Sequence, residues 1–212
     1  MNPYYQDASV TIYHADSRDV TPDDCVMVTD PPYGLDFPYL EYSDTRESLV
    51  DLIGDVLVPN IENLRRSVIL CGVTQIDLYP HPHWICCATW NTTGSFGKYG
   101  YNQWMPILCY GQDLKGFGNV NGVTKGDTLH ISGGGSVGFQ RNKEEKKHTC
   151  PKPLNIMEWI VQRTTLPTDV VYDPFMGSGT TIVAAKSLGR KSVGVEIEER
   201  YCEIAVRRLA AA

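Results

Sequence analysis

Asp30, Pro31, Pro32 and Tyr33 are the residues whose types and spacing most directly suggest chemistry in this chain. Two consecutive prolines remove two backbone donors but keep their carbonyls, held at nearly fixed φ and free to accept hydrogen bonds. A carboxylate and a flat ring flank them. Such a group suits a planar molecule that donates from an amino group: the acceptors hold the NH2 and the ring lies on its face. The same residues also read as a strand-ending turn with a capping aspartate. Taken alone, the stretch leaves both readings open.

A second constellation lies about 140 residues later, at Asp173-Pro174-Phe175-Met176-Gly177-Ser178-Gly179-Thr180-Thr181. Val170–Tyr172 reads as the strand before it and the residues through Leu188 as the helix after it. Ser192–Val195 then reads as a strand ending in Glu196. Strand, glycine turn, helix, strand and acid form the mononucleotide-binding half of a doubly wound fold. Gly177 and Gly179 let the backbone approach a ligand closely. Glu196 follows Gly177 by 19 residues, near the spacing at which an acid receives ribose hydroxyls. The three-glycine phosphate fingerprint is missing, and Asp173 stands where a pyrophosphate would be repelled. A nucleoside with a cationic amino group, as on the methionine portion of S-adenosylmethionine, suits these residues better than a dinucleotide; a purely structural tight turn is the other reading.

These groups need elements to position them. Cys25–Thr29 is a short apolar run that reads as a buried strand delivering Asp30 to a sheet edge. Ser9–His14 reads as a strand ending at Asp16. Leu35 to Tyr42, with Phe37 and Tyr39, reads as a loop beside Asp30, either covering a ligand or anchored on its own rings. Asp44 with Glu47 resembles a helix start, and Leu49, Leu52, Ile53, Val56 and Leu57 keep the spacing of one apolar face. Val68–Cys71, Trp84–Thr89 and Met105–Tyr110 read as further strands. Between the last two, Phe96, Tyr99 and Tyr101 alternate with glycines around Lys98, which suits either stacking on bases or a β-hairpin tip. From Gly111 to Gly138 there are nine glycines and little apolar periodicity, so a long substrate-contacting loop is expected, with a solvated linker as the alternative. Pro151-Lys152-Pro153 then leads into a helix through Leu154, Met157, Ile160 and Val161.

The bulk properties fit one domain spanning residues 1–212, with 111–150 as an insertion. A chain of 212 residues with 42% hydrophobic and 21% charged residues has ordinary globular composition. The start shows no basic segment followed by an apolar run, and no stretch is long enough to span a bilayer, so a cytoplasmic protein without membrane contact is expected. The seven cysteines are scattered without Cys-x-x-Cys spacing, which suggests free thiols and no metal site. The net charge of −6 does not advertise a nucleic-acid binder. Residues 111–150 nevertheless carry six Lys or Arg against four Asp or Glu, a locally basic balance.

Together the two constellations resemble the amino-methyltransferases of DNA, adenine-N6 and cytosine-N4, in the circularly permuted order called the β class. Asp30-Pro31-Pro32-Tyr33 is similar to the family's catalytic motif and Asp173 to Thr181 to its cofactor loop. Gly194-Val195-Glu196 with Tyr201, Asp16, and His148-Thr149-Cys150-Pro151-Lys152-Pro153-Leu154 extend the match. The resemblance implies an α/β, mostly parallel, doubly wound sheet of Rossmann-like type and S-adenosylmethionine as cofactor. It implies DNA as substrate, flipping of the target base, and Asp30 with the Pro31 carbonyl accepting the amino hydrogens while Tyr33 stacks on the base. It further implies Asp16, Lys152, Pro153, Asp173, Phe175, Gly177, Ser178, Gly179, Thr180 and Glu196 around the cofactor. Phe37, Tyr39, Lys98 and Tyr101 are candidates for substrate contact. Aspartate at the first motif position favours adenine N6 over cytosine N4, and a non-catalytic binding module is the rival from another class. Dimerisation is common among such relatives, and no nuclease partner is visible. Two departures stand out: Thr149 replaces the first proline of its segment, and Trp104-Met105 stands where many relatives carry His-Glu.

Overall fold

The structure is a computed structural model and describes residues 1–90, 96–97, 100–111, 126–131 and 152–211. Its strands are β1 (Tyr5–Gln6), β2 (Val10–His14), β3 (Cys25–Thr29), β4 (Arg66–Leu70), β5 (Trp84–Trp90), β6 (Phe96–Gly97), β7 (Gly100–Tyr101), β8 (Trp104–Gly111), β9 (Thr128–Ile131), β10 (Val170–Asp173) and β11 (Lys191–Glu196). Nine of them form one sheet in the order β1-β2-β11-β10-β3-β4-β8-β5-β9. The run from β2 to β4 is parallel throughout, whereas β1, and β8 against both its neighbours, pair antiparallel. The expected mostly parallel α/β sheet is therefore present at its centre, with an antiparallel flank. β4 and β5 are not neighbours; β8 lies between them.

Every residue of β3 and β4 is buried, as expected of parallel strands covered on both faces. Alternate side chains serve different layers. Val26 and Val28 pack with Ile156, Met157, Ile160 and Val161 of α3 (Leu154–Thr164) and with Ala184 and Ala185 of α4 (Thr180–Ser187). Cys25 and Met27 pack on the other face with Leu49 and Leu52 of α1 (Arg46–Leu52) and with Ile53 and Leu57. A third cluster joins Val10 and Ile12 of β2 to Ile182 and to Cys202, Ala205 and Leu209 of α5 (Glu199–Ala210).

Three segments depart from the sequence expectation. The helix after the loop starts one residue later than its acids suggested: Thr45 is the N-cap, its hydroxyl accepting from the Ser48 N–H, while Asp44 is engaged elsewhere. The helix also widens to a π register over Ile53–Leu57 before α2 (Val58–Asn63); Pro59 has no N–H to offer the Asp55 carbonyl, which removes one α-type bond there. Within the expected glycine-rich loop, Gly111 closes β8 and Thr128–Ile131 forms β9, parallel to β5. Its burial alternates along four residues, too short a signal to stand out among glycines. Apart from Gly126 and Asp127, the rest of the 111–150 insertion lies outside the described residues. The segment before β8 is a hairpin, with Phe96 opposite Tyr101.

Candidate active site

The parallel centre decides the location of the site. Strands β2, β11, β10, β3 and β4 all end at the same edge, so the acids that terminate or follow them, Asp16, Glu196, Asp173 and Asp30, converge there, where open α/β sheets bind ligands. They line one cleft of about 340 Å³.

Asp173 and Asp30 belong to motifs far apart in the chain but adjacent in the sheet. The Thr29 hydroxyl, immediately before Asp30, donates to Asp173 Oδ1 at 2.7 Å across 144 residues. The Phe175 N–H donates to the same oxygen. Asp173 is 1% exposed, and burial raises its carboxyl from the ordinary value of 3.8 to about 6, opposed by the Thr181, Thr29 and Phe175 hydrogen bonds. Glu196 is raised in the same way, mainly by burial, to about 7, against the N–H groups of Glu198 and Gly177. Those two donors meet different oxygens: Glu198 N–H to Oε1 at 2.8 Å and Gly177 N–H to Oε2 at 2.9 Å. The glycine turn is thereby fastened to the acid that follows it.

The turn itself requires its glycines. Gly177 and Gly179 have φ of +51° and +81°, the left-handed region that costs other residues energy. A Cβ on Gly179 would stand 2.8 Å from the Ala205 Cβ of α5. The Arg208 guanidinium, on the same helix, donates to the Ser178 carbonyl and to the Ser178 and Thr180 hydroxyls at 2.8–3.0 Å. The last helix therefore shapes the turn from behind.

On the other side of the cleft, Asp30 Oδ1 accepts from the Tyr33 hydroxyl at 2.6 Å and Oδ2 pairs with the Lys152 ammonium at 2.7 Å. The same ammonium lies 4.9 Å from the Tyr33 ring centroid, a cation–π distance. Burial and the Asp30 charge push the Tyr33 phenol well above its ordinary value. Each Asp30 oxygen has more than one lone pair, so both can accept a further hydrogen bond from a ligand.

The loop after Gly34 is pinned by Asp44. This residue, 4% exposed, accepts from the N–H groups of Gly34, Leu35 and Phe37 at 2.7–3.2 Å. The Phe37 and Tyr39 rings meet with centroids 4.7 Å apart, tilted by 54°, and both line the cleft.

Of the residues singled out in the sequence, Asp16, Asp30, Pro31, Pro32, Tyr33, Phe37, Tyr39, Lys152, Asp173, Phe175, Gly177, Ser178, Thr180 and Glu196 line this cleft. Lys152, grouped with the cofactor residues in the sequence, reaches Asp30. Gly179 supports the turn without lining the cleft, Pro153 is the N-cap of α3, and Tyr101 is exposed on the β6–β7 hairpin. Lys98 lies outside the described residues. Tyr42, at the end of the loop read beside Asp30, also borders the cleft, as do Asp44, Ile197 and Glu198, which reasoning from sequence did not place there; an apolar Ile197 directly after a motif acid carried a signal, whereas Asp44 looked like a helix cap. Among the described residues no group of three or more His, Cys, Asp or Glu could hold a metal ion, and no helix is long and apolar enough to cross a membrane.

Known proteins resemble this chain in sequence and in fold. The chain is 45% identical over 75 residues to the type II methyltransferase M2.LlaDCHI of Lactococcus lactis subsp. cremoris and 41% identical over 76 residues to M.HinfI of Haemophilus influenzae. Those matches cover 35% and 34% of this chain, and only 28% and 21% of the two relatives. In fold it is similar to M1.HpyAVI, solved as a complex with SAM, with a TM-score of 0.64 at 22% identity over 94% of this chain and 99% of that one. It is also similar to the PvuII DNA methyltransferase, described as cytosine-N4-specific, with a TM-score of 0.66 at 16% identity over 99% and 96% of the two chains. The profile of the DNA methylase family N6_N4_Mtase matches residues 87–207, which hold the glycine turn and Glu196 but not Asp30 to Tyr33. Because that match takes in more than half of the chain, this protein belongs to the N6/N4 family of DNA methylases.

Proposed function

We propose that this chain is a DNA methyltransferase of the permuted β type that transfers a methyl group from S-adenosylmethionine to the N6 amino group of a flipped adenine. The observation that carries the reading is the Thr29–Asp173 hydrogen bond, which joins the amino-binding motif to the glycine turn in one cleft. Two motifs with separate duties would not need to meet.

The residues fit the cofactor. Glu196 is a buried acid beside a left-handed glycine turn, suited to ribose hydroxyls, and Asp173 is a buried acid with no basic side chain among the causes of its shift, suited to a cationic amino group. Exposed Ile197 and half-buried Phe175 border the same cleft and suit a flat base. When bound, S-adenosylmethionine supplies an electrophilic methyl group on sulfur.

Asp30 and the Pro31 carbonyl would accept the two amino hydrogens of the target base. This draws the nitrogen towards a pyramidal shape whose lone pair points across the cleft. The Tyr33 hydroxyl and Lys152 ammonium hold Asp30, one on each carboxylate oxygen. An ordinary aspartate is too weak a base to deprotonate a neutral aromatic amine, so Asp30 orients first and accepts a proton only as positive charge develops. The arrangement cannot reach a stacked base, so the base must leave the duplex, at about a few kcal/mol. Aspartate at the first motif position is the basis for choosing adenine.

Incubating the protein with methyl-labelled cofactor and unmethylated DNA, digesting the DNA and separating its nucleosides tests this. Label in N6-methyl-2′-deoxyadenosine is expected. Label found only in cytosine would transfer the reading to N4 chemistry, and cofactor binding without transfer to any DNA would leave a binding module.

A further inference from the structure

Glu198 is a buried carboxylate at the cleft for which the proposed chemistry has no use. It is 3% exposed. It occupies the N-cap position of α5, yet its side chain makes no capping hydrogen bond. One oxygen, Oε1, instead accepts the Leu40 N–H at 2.8 Å from a residue 158 positions away, and the other accepts the Arg200 Nε–H. Leu40 does not bring its side chain to the contact, since it is 69% exposed. The backbone donor is what Glu198 holds.

The same residue is bound to the cofactor side. Its own N–H donates to Glu196 Oε1, whose partner oxygen holds Gly177. One continuous network therefore runs from the glycine turn through Glu196 and Glu198 to Leu40, in the middle of the loop that carries Phe37 and Tyr39. Asp44 fixes the end of that loop near Gly34, Leu35 and Phe37, and residues 35–44 have no regular secondary structure of their own. A hydrogen bond to a buried charged acceptor is stronger than one between neutral groups, so Glu198 sets the position of the loop's distal half.

We propose that Glu198 is a positioning residue that latches loop 35–42 to the end of β11, so that ordering of the cofactor subsite and seating of the target base on Phe37 and Tyr39 stabilise each other. This rests on the function proposed above. Coupling of this kind is reciprocal: a ligand that fixes Glu196 favours the latched loop, and a base held by the loop favours the Glu196 geometry.

Hydrogen exchange of residues 35–42, calorimetric affinity for S-adenosylmethionine, and KM and kcat with unmethylated DNA test it in wild type, Glu198→Ala, Glu198→Gln and Leu40→Pro. Glu198→Ala is expected to speed loop exchange about tenfold, the worth of one hydrogen bond to a charged group. It is expected to raise the KM for DNA about fivefold or more with a smaller change in kcat. Glu198→Gln keeps one neutral acceptor, which can serve Leu40, and should restore part of both. Leu40→Pro removes the donor without touching the buried acid and should reproduce the rise in KM, with no further rise when combined with Glu198→Ala. Loop exchange unchanged in Glu198→Ala, or a loss confined to cofactor affinity, would overturn the latch. Failure of the wild type to bind S-adenosylmethionine would overturn the proposed function instead, and the exchange comparison without ligand would still decide the latch.

Discussion

Asp173 and Glu196 are acids in a setting that resists their ionisation. Their carboxyls are raised from 3.8 and 4.5 to about 6 and about 7 by burial, with the charges of Asp30 and Glu198 among the lesser causes. An acid raised on folding holds its proton more tightly in the folded state, so its contribution to stability is fully present below the unfolded value and is lost as pH rises through the folded one. The ligand-free protein should therefore become easier to unfold in urea between about pH 4 and pH 7. Cofactor affinity should move the other way, because ribose hydroxyls and a cationic amino group call for carboxylates. Calorimetry should show affinity rising from about pH 5.5 to pH 8, with the upper part of the rise absent in Glu196→Gln. A pH-independent affinity would mean that the cofactor does not contact these acids.

Asp30 and Lys152 allow a sharper division. Asp30→Ala is expected to abolish methyl transfer while cofactor affinity is retained; equal loss of both would mean that the two halves of the cleft are not separate subsites. Lys152→Met removes the ammonium from Asp30 and from the Tyr33 ring. Loss of one charge-assisted contact predicts a fall in transfer rate of about 10- to 100-fold, measured by label incorporation, with little change in calorimetric cofactor affinity. A selective loss of cofactor binding would return Lys152 to the role its sequence position suggested.

Among the elements, α5 carries a duty beyond covering the sheet. Its Ala205 fits under Gly179 and its Arg208 holds Ser178 and Thr180. Gly179→Ala combines a left-handed φ with a Cβ placed against Ala205, and should destabilise the protein by about 1–3 kcal/mol in urea denaturation while also weakening cofactor affinity. Adding Ala205→Gly relieves the clash but not the φ, so partial recovery is expected. Full recovery would show that the left-handed backbone is not needed.

At the scale of the molecule, the edge opposite the cleft is held by a buried charge cluster. Asp169, just before β10, accepts from the Arg66 and Arg65 guanidinium groups across about 100 residues, and from the Leu166 N–H. Arg66 is itself buried at the start of β4. Removing one member of a buried pair leaves the other charge uncompensated, so Asp169→Ala should cost about 3–5 kcal/mol in urea denaturation. Methyl transfer per folded molecule should be unchanged, since Asp169 stands at the end of the sheet away from the cleft. A loss of activity without loss of stability would contradict this division between a structural edge and a chemical one.

The sequence by itself determined the two motifs, their order, and the strands that end in Asp30, Asp173 and Glu196, because an apolar run stopped by proline, glycine or acid is a local pattern that local sterics enforce. It also made the parallel α/β centre legible through strand, turn and helix alternation. What it left open was which side chains meet. Asp44 reads as a helix cap but gathers three loop amides, and Lys152 reads as a cofactor neighbour but reaches Asp30. The Glu198–Leu40 contact had no counterpart in the sequence reading. Each pairing depends on which strands stand side by side and in what register, a long-range property that no local pattern encodes. The tertiary structure alone decided that the Thr29 hydroxyl would lie against Asp173, because only parallel pairing of β3 with β10 brings the two motifs into one cleft.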